Sequence, residues 1–289
     1  MVSKKDLSTE IEYLSALKNM LETYEEIAAS RMQRIRASVL QSRDFVFEIN
    51  VVFQHVKNSY KRQVEALMRK KKIKDQAKFT FLARNGKTLY LLLSANTGLY
   101  GTIIRRTYDE FIKHYQKEKG DVAIMGKLGA QYFRQDFPKT SYTYFDFPDT
   151  NIDQERLKKI IQFIIEYQQV IVFYEQFVNV VTQDPIATNI SGELLPWEQR
   201  GPEIKYFVEP SLEKVMQFFE KQIFASIFEQ TLFESELAKF SSRMVSLDQA
   251  TSNTRERLKQ TSFLLDKIKH AIMNKKQSET VTGLMLLKR

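Results

Sequence analysis

Three short fragments and three histidines are the places where this sequence could do chemistry. Gly86-Lys87-Thr88 has the form of the tail of a phosphate-binding loop, in which backbone N–H groups and a lysine cradle a nucleotide. The full motif needs a glycine five residues before Gly86, and that position is Phe81. The fragment also precedes a β-rich run, whereas the motif must follow a strand and open a helix. A phosphate loop is therefore excluded. Gly98-Leu99-Tyr100-Gly101 and Gly126-Lys127-Leu128-Gly129 each lie between a strand-like and a helix-like run. Paired glycines there suit a tight strand-to-helix turn, with a ligand loop as the rival reading. His55, His114 and His270 are far apart and lack metal-ligand spacing. With no Cys in 289 residues there is no thiolate site, no disulfide and no Cys nucleophile. No paired carboxylates and no Ser-His-Asp arrangement can be picked out. The expectation is a chain with no catalytic residue, no cofactor and no metal.

The surrounding elements say more. From Leu7, steps of four and three give Leu7, Ile11, Leu14, Lys18, Leu21, Glu25, Ala28, Met32, Ile35, Val39, Ser42, Val46, Ile49, Phe53, Val56 and Tyr60. Only Lys18, Glu25 and Ser42 break this seam. A second seam runs from Leu212 through Met216, Ile223, Leu237, Met244, Leu247 and Leu265 to Ile272, with Ser226, Gln230, Thr251, Thr254 and Thr261 as its polar positions. A 3.5-residue repeat sustained this long predicts coiled-coil helices, each roughly 80–90 Å long at 1.5 Å per residue. No proline precedes Pro138, so nothing interrupts the first helix.

Between the seams the pattern changes. Thr88–Leu93, Val122–Met125 and Val170–Tyr174 read as buried strands, with helices near 102–118 and 153–167. Lys78–Leu82 with Asn85-Gly86 suggests a hairpin into the first of these strands. Strand, helix, strand, helix, strand is the order of a parallel α/β unit. The fold class expected is mixed: a long antiparallel coiled coil of the two terminal helices with an inserted, Rossmann-like α/β domain. The divisions are 1–74, 75–209 and 210–289.

Composition agrees. Hydrophobic content of 43% supports a core, and 27% charged residues with nine Gly and six Pro suit long helices. The first residues lack the apolar core of a secretory signal, and no run is long enough to span a membrane. The net charge of +9 invites a nucleic-acid reading, but its densest run, Arg69–Lys74, falls where the first helix should end. Cations there complement the helix dipole. Neither aromatic interleaving nor a DNA-binding motif accompanies them, so no nucleic-acid partner is expected.

With this architecture, several motifs resemble the γ subunit of the F-type ATP synthase family. Tyr174, Phe177, Asn179, Thr182, Gln183 and Pro185, then Leu194-Leu195-Pro196, stand where that family has Tyr-Asn-x-Phe-x-Asn-x-x-Thr-Gln-x-Pro and Leu-Leu-Pro. Arg243-Met244 to Ala250-Thr251 and Asn253 is similar to Arg-Met-x-Ala-Met-x-x-Ala-Thr-x-Asn, and Ile27–Met32 to Val-Ala-Ala-Ser-Lys-Leu. Gly126, Lys127, Gly129, Tyr132 and Phe133 match its Gly-x-x-Gly followed by aromatics. The resemblance covers nearly the whole chain. It implies a non-catalytic central rotor in a ring of α and β subunits, with ATP chemistry in β and coupling, in a synthase, to proton transport. It further implies an epsilon-type stalk subunit and a membrane ring as partners, no direct membrane insertion, and a peripheral place on the cytoplasmic face of a bacterial membrane. Shaft residues expected to touch partners are Arg31, Met32, Arg34, Arg243, Met244, Asp248, Lys269, His270 and Lys276, with Arg31, Arg34, Arg36 and Arg243 facing outward.

Departures from the pattern leave alternatives open. Glu26 stands where the family has Met, and Lys276 where its Arg-Gln-x-x-Ile-Thr-x-Glu pattern has Glu. One alternative is the rotor of a specialised ATPase that hydrolyses ATP to drive another machine. A more distant one is a hinged coiled-coil scaffold. The apolar tail Leu284–Leu287 suits a shaft tip seated in an apolar sleeve.

Overall fold

The computed structural model describes residues 3–60, 63, 82, 84–149, 152–191 and 207–286, with side chains to 282. Its elements run α1 (Lys4–Ser59), β1 (Thr88–Leu93), α2 (Ile103–Lys117), β2 (Asp121–Met125), α3 (Lys127–Asp136), β3 (Thr143–Phe145), α4 (Gln154–Ile164), β4 (Gln169–Phe177), β5 (Gln183–Asn189) and α5 (Leu212–Leu286). They form two compact units: residues 1–29 with 243–289, and residues 30–242.

In the larger unit the sheet order is β3-β2-β1-β4-β5. The first four strands are parallel, and β5 returns antiparallel along β4, with Pro185 opposite Glu175. A proline is tolerated there because β5 is an edge strand. Alternation sorts the β1 side chains. Leu89, Leu91 and Leu93 join Val170, Val172 and Tyr174 against Leu157, Ile160 and Ile164 of α4 and Phe224, Phe228 and Leu232 of α5. Tyr90 and Leu92 turn to the other face, where Phe173 meets Tyr108 and Phe111 of α2 and Phe133 of α3. Both faces of β1 are therefore dry, which is why it reads as an uninterrupted apolar run.

Two elements differ from the sequence reading. The aromatic loop at 142–148 contains the short strand β3, and the extended stretch after β4 contains β5. The proposed strand at 78–82 lies outside the described residues except Leu82, as does the basic run 69–74. Gly86 has φ of +75°, and Asn85 donates its N–H to the Glu166 carbonyl, joining this turn to the end of α4.

The seams hold at the level of side chains as far as Leu265, but Ile272, the last position expected of the second, is exposed. In the larger unit Arg31 lies over Phe240, Arg43 pairs with Glu234, and Phe53 lies 5.9 Å from Phe219, so α1 and α5 run antiparallel. In the smaller unit Leu7, Leu14, Leu21 and Ala28 of α1 and Leu247, Thr251, Thr254, Thr261 and Leu265 of α5 are buried. Arg255 pairs with Glu22 and Arg257 with Glu10 across that unit. The Arg255 hydrogen bond holds the Glu22 carboxyl below its usual range.

Candidate partner-contact shaft and its joint to the sheet

The candidate contact residues fall into both units. In the larger unit, Arg34 is exposed while Arg31 and Met32 are half-buried. Arg31 does not face fully outward as expected: its guanidinium lies 5.6 Å from the centre of the Phe240 ring, an attractive arrangement that holds it against α5. In the smaller unit, Arg243 and Met244 are half-buried, so Arg243 too is turned partly inward, and Asp248 is exposed. Lys269, His270 and Lys276 are exposed, and Lys269 pairs with Asp266 one turn earlier. A seven-residue separation puts Lys269 and Lys276 on one face of α5. From Lys269 to Thr282 every residue of α5 is exposed, among them Ile272, Met273 and Val281. The side chains of the apolar tail 284–287 lie outside the described residues.

Sequence reasoning missed a buried polar joint between α5 and the sheet. Lys239 of α5 donates to the Ser94 carbonyl at 3.0 Å, and the Ser242 hydroxyl donates to the Tyr100 carbonyl at 2.9 Å. Ser235 donates to Glu175 of β4 at 2.6 Å. Burial raises the Glu175 carboxyl above its ordinary range, opposed by Lys239 and by the Ser235 bond. Beside Ser235, Glu234 accepts from Arg43 at 3.2 Å. Burial raises Glu234 as well, with Arg43 opposing. The α5 segment Glu234-Ser235-Glu236-Leu237-Ala238-Lys239 thus carries charged residues inward beside its seam positions. The available signal was its density of polar residues flanking Leu237.

Packing or backbone conformation accounts for three of the four glycines in these two turns. A Cβ on Gly126, where φ is +99°, would come 2.7 Å from the Ala95 nitrogen, and one on Gly129 would come 2.8 Å from the Ser94 Cβ. Gly101 has φ of +60°, and Gly98 has open space around it. His114 faces the Glu110 carbonyl and carboxylate on its own helix. Among the described residues no group of three acidic or histidine side chains could hold a metal ion. No helix of theirs is long and apolar enough to cross a membrane.

The sequence profile of the ATP synthase family matches residues 3–285, from the first turn of α1 almost to the end of α5. The chain belongs to the ATP synthase gamma chain family. The gamma chain of Desulforamulus reducens is 24% identical over 297 residues, covering 98% of each chain. That of Pelotomaculum thermopropionicum is 24% identical over 295 residues, again covering 98% of each. Among solved structures, one from the Tetrahymena thermophila mitochondrial ATP synthase central stalk and c-ring shares the fold, with a TM-score of 0.55 at 18% identity. The match covers 80% of this chain and 99% of that one.

Proposed function

We propose that the chain is the central rotor of an F-type ATP synthase or ATPase. The observation that carries this reading is the end-to-end family match over residues 3–285, which takes in both seams and the sheet. In this reading the arms 1–74 and 210–289 form the shaft, and the domain 75–209 is the base that stalk partners grip. The chain is a stalk subunit and performs no chemistry itself. ATP is bound and cleaved in β subunits of a surrounding α/β ring. An eccentric shaft touches each β subunit differently, and a contact difference of about 1–3 kcal/mol per site is enough to order three nucleotide affinities. Arg31, Met32, Arg34, Arg243, Met244, Asp248, Lys269, His270 and Lys276 are the contact residues on this account. An epsilon-type stalk subunit and a membrane ring complete the rotor, which places the chain peripherally on the cytoplasmic face of a bacterial membrane.

Lys276 favours a second reading, a rotor driven only by hydrolysis, because it puts a cation where the family pattern has Glu. Co-expression with the α and β subunits of the same genome, followed by native mass measurement, tests the rotor reading. A complex of three α, three β and one copy of this chain is expected. Assembly of α and β that leaves this chain free would overturn it and favour the scaffold reading. Addition of the membrane ring then separates a synthase, whose hydrolysis responds, from a dedicated motor.

A further inference from the structure

The joint between α5 and the sheet gathers more carboxyl groups than its cations neutralise. Glu236 of α5 is 6% exposed and Glu175 of β4 is wholly buried. Asp149, in the loop before α4, completes the set. Asp149 is already committed: its two oxygens accept from the Asn96 N–H at 2.8 and 2.9 Å, and from the Thr97 N–H and hydroxyl at 2.8 Å. Asn96 in turn accepts from the Lys127 N–H that opens α3 and donates to the Phe147 carbonyl. Glu236, Lys239 and Asp149 line one small cavity of about 20 Å³ with Ser94, Phe147 and Leu232, at the C-terminal end of β1. Such a space has room for about one water and none for a hydrated counter-ion.

The groups facing Glu236 come from three elements. Lys239 shares its helix but gives its hydrogen bond to the Ser94 carbonyl, and its charge is shared with Glu175 on the sheet side. Arg31 of α1 is held over the Phe240 ring. Asp149 approaches from the loop with a like charge. Burial raises the Glu236 carboxyl to about 7; Lys239 opposes this, Asp149 adds to it and Arg31 opposes it.

We propose that this cavity is a proton-binding site: a proton held on Glu236 keeps the grip of Asp149 on the Asn96–Thr97 turn, and releasing it loosens that grip. Loss of the proton breaks the carboxyl O–H bond, sends the proton to solvent and leaves a second carboxylate facing Asp149 in a poorly screened space. The two repel, and Lys239 is drawn from the Ser94 carbonyl toward the new anion. Both movements act on the turn that leads from β1 into α2. The inference does not depend on the rotor reading, because every group belongs to this chain.

The test is a carbon-detected titration of the full chain with labelled Glu side chains, alongside amide hydrogen exchange from pH 5 to 9. Glu236, assigned by its loss in E236Q, is expected to titrate with a midpoint near 7. Protection of the Asn96 and Thr97 amides, corrected for intrinsic exchange, should fall about tenfold across the same midpoint. In E236Q that protection should stay flat. A Glu236 midpoint near 4.5, or protection that is constant while Glu236 titrates, would overturn the proposal. Both readings come from the wild-type chain, with assignment by sequential NMR connectivity if E236Q does not fold.

Discussion

Lys239 is the cation on which two buried carboxyl groups lean, and its removal should expose their cost. Lys239→Met would leave Glu175 and Glu236 without that cation and the Ser94 carbonyl without its donor. Leaving that carbonyl without its donor should cost about 1–3 kcal/mol, readable in urea unfolding of the full chain. Glu236→Gln should act in the opposite direction above neutral pH. The Glu236 carboxyl titrates at about 7 in the folded chain against an ordinary 4.5, so folding takes up a proton between those values. Stability from this group is complete below about pH 4.5, declines as pH rises, and is lowest above 7, a span of about 3 kcal/mol. The Gln variant should therefore gain on wild type at pH 8 and show little of that slope. The sequence offered only the density of polar residues around Leu237, which does not say that Glu236 is buried. Its environment is set first by burial and then by Lys239 and by Asp149, which is distant in sequence and lines the same cavity.

At the scale of elements, the heptad pattern transferred directly for α1 and for α5 as far as Leu265, beyond which the predicted seam position Ile272 is exposed. Leu7, Leu14, Leu21, Ala28 and Ile35, seven residues apart, are all buried. Leu14→Ala and Leu247→Ala should each cost about 2–5 kcal/mol in denaturant unfolding, since each empties a seam position. The parallel strands were equally visible because β1 is dry on both faces. β3 and β5 were not. β3 has three residues with Tyr144 exposed, so its apolar signal is too short to separate from an aromatic loop. Pro185 interrupts the donor pattern of β5, which only its edge position makes acceptable. Glycines separate the same way. Gly126→Ala meets both a positive φ and the Ala95 backbone and should destabilise by more than about 2 kcal/mol, whereas Gly98→Ala should change thermal stability by less than about 0.5 kcal/mol.

For the whole molecule, the long exposed run of α5 is what a shaft would offer to partners. Phe263 is 71% exposed, and Lys276 is exposed on the same helix. Phe263→Ala and Lys276→Glu should leave unfolding of the isolated chain within about 0.5 kcal/mol of wild type. In the assembled complex, a contact role predicts weaker retention of the variant chain or altered hydrolysis, measured by native mass and ATPase assay. A family resemblance could indicate this surface but not which side chains bind, because burial within one chain carries no record of its neighbours. On the rotor reading the chain turns. The most direct measurement anchors the α/β head to a surface, attaches a bead to the α/β domain of this chain, and follows the bead as ATP is added. Unidirectional rotation in steps of a third of a turn is the predicted result. ATP hydrolysis by the head with a stationary bead firmly attached to this chain would contradict it.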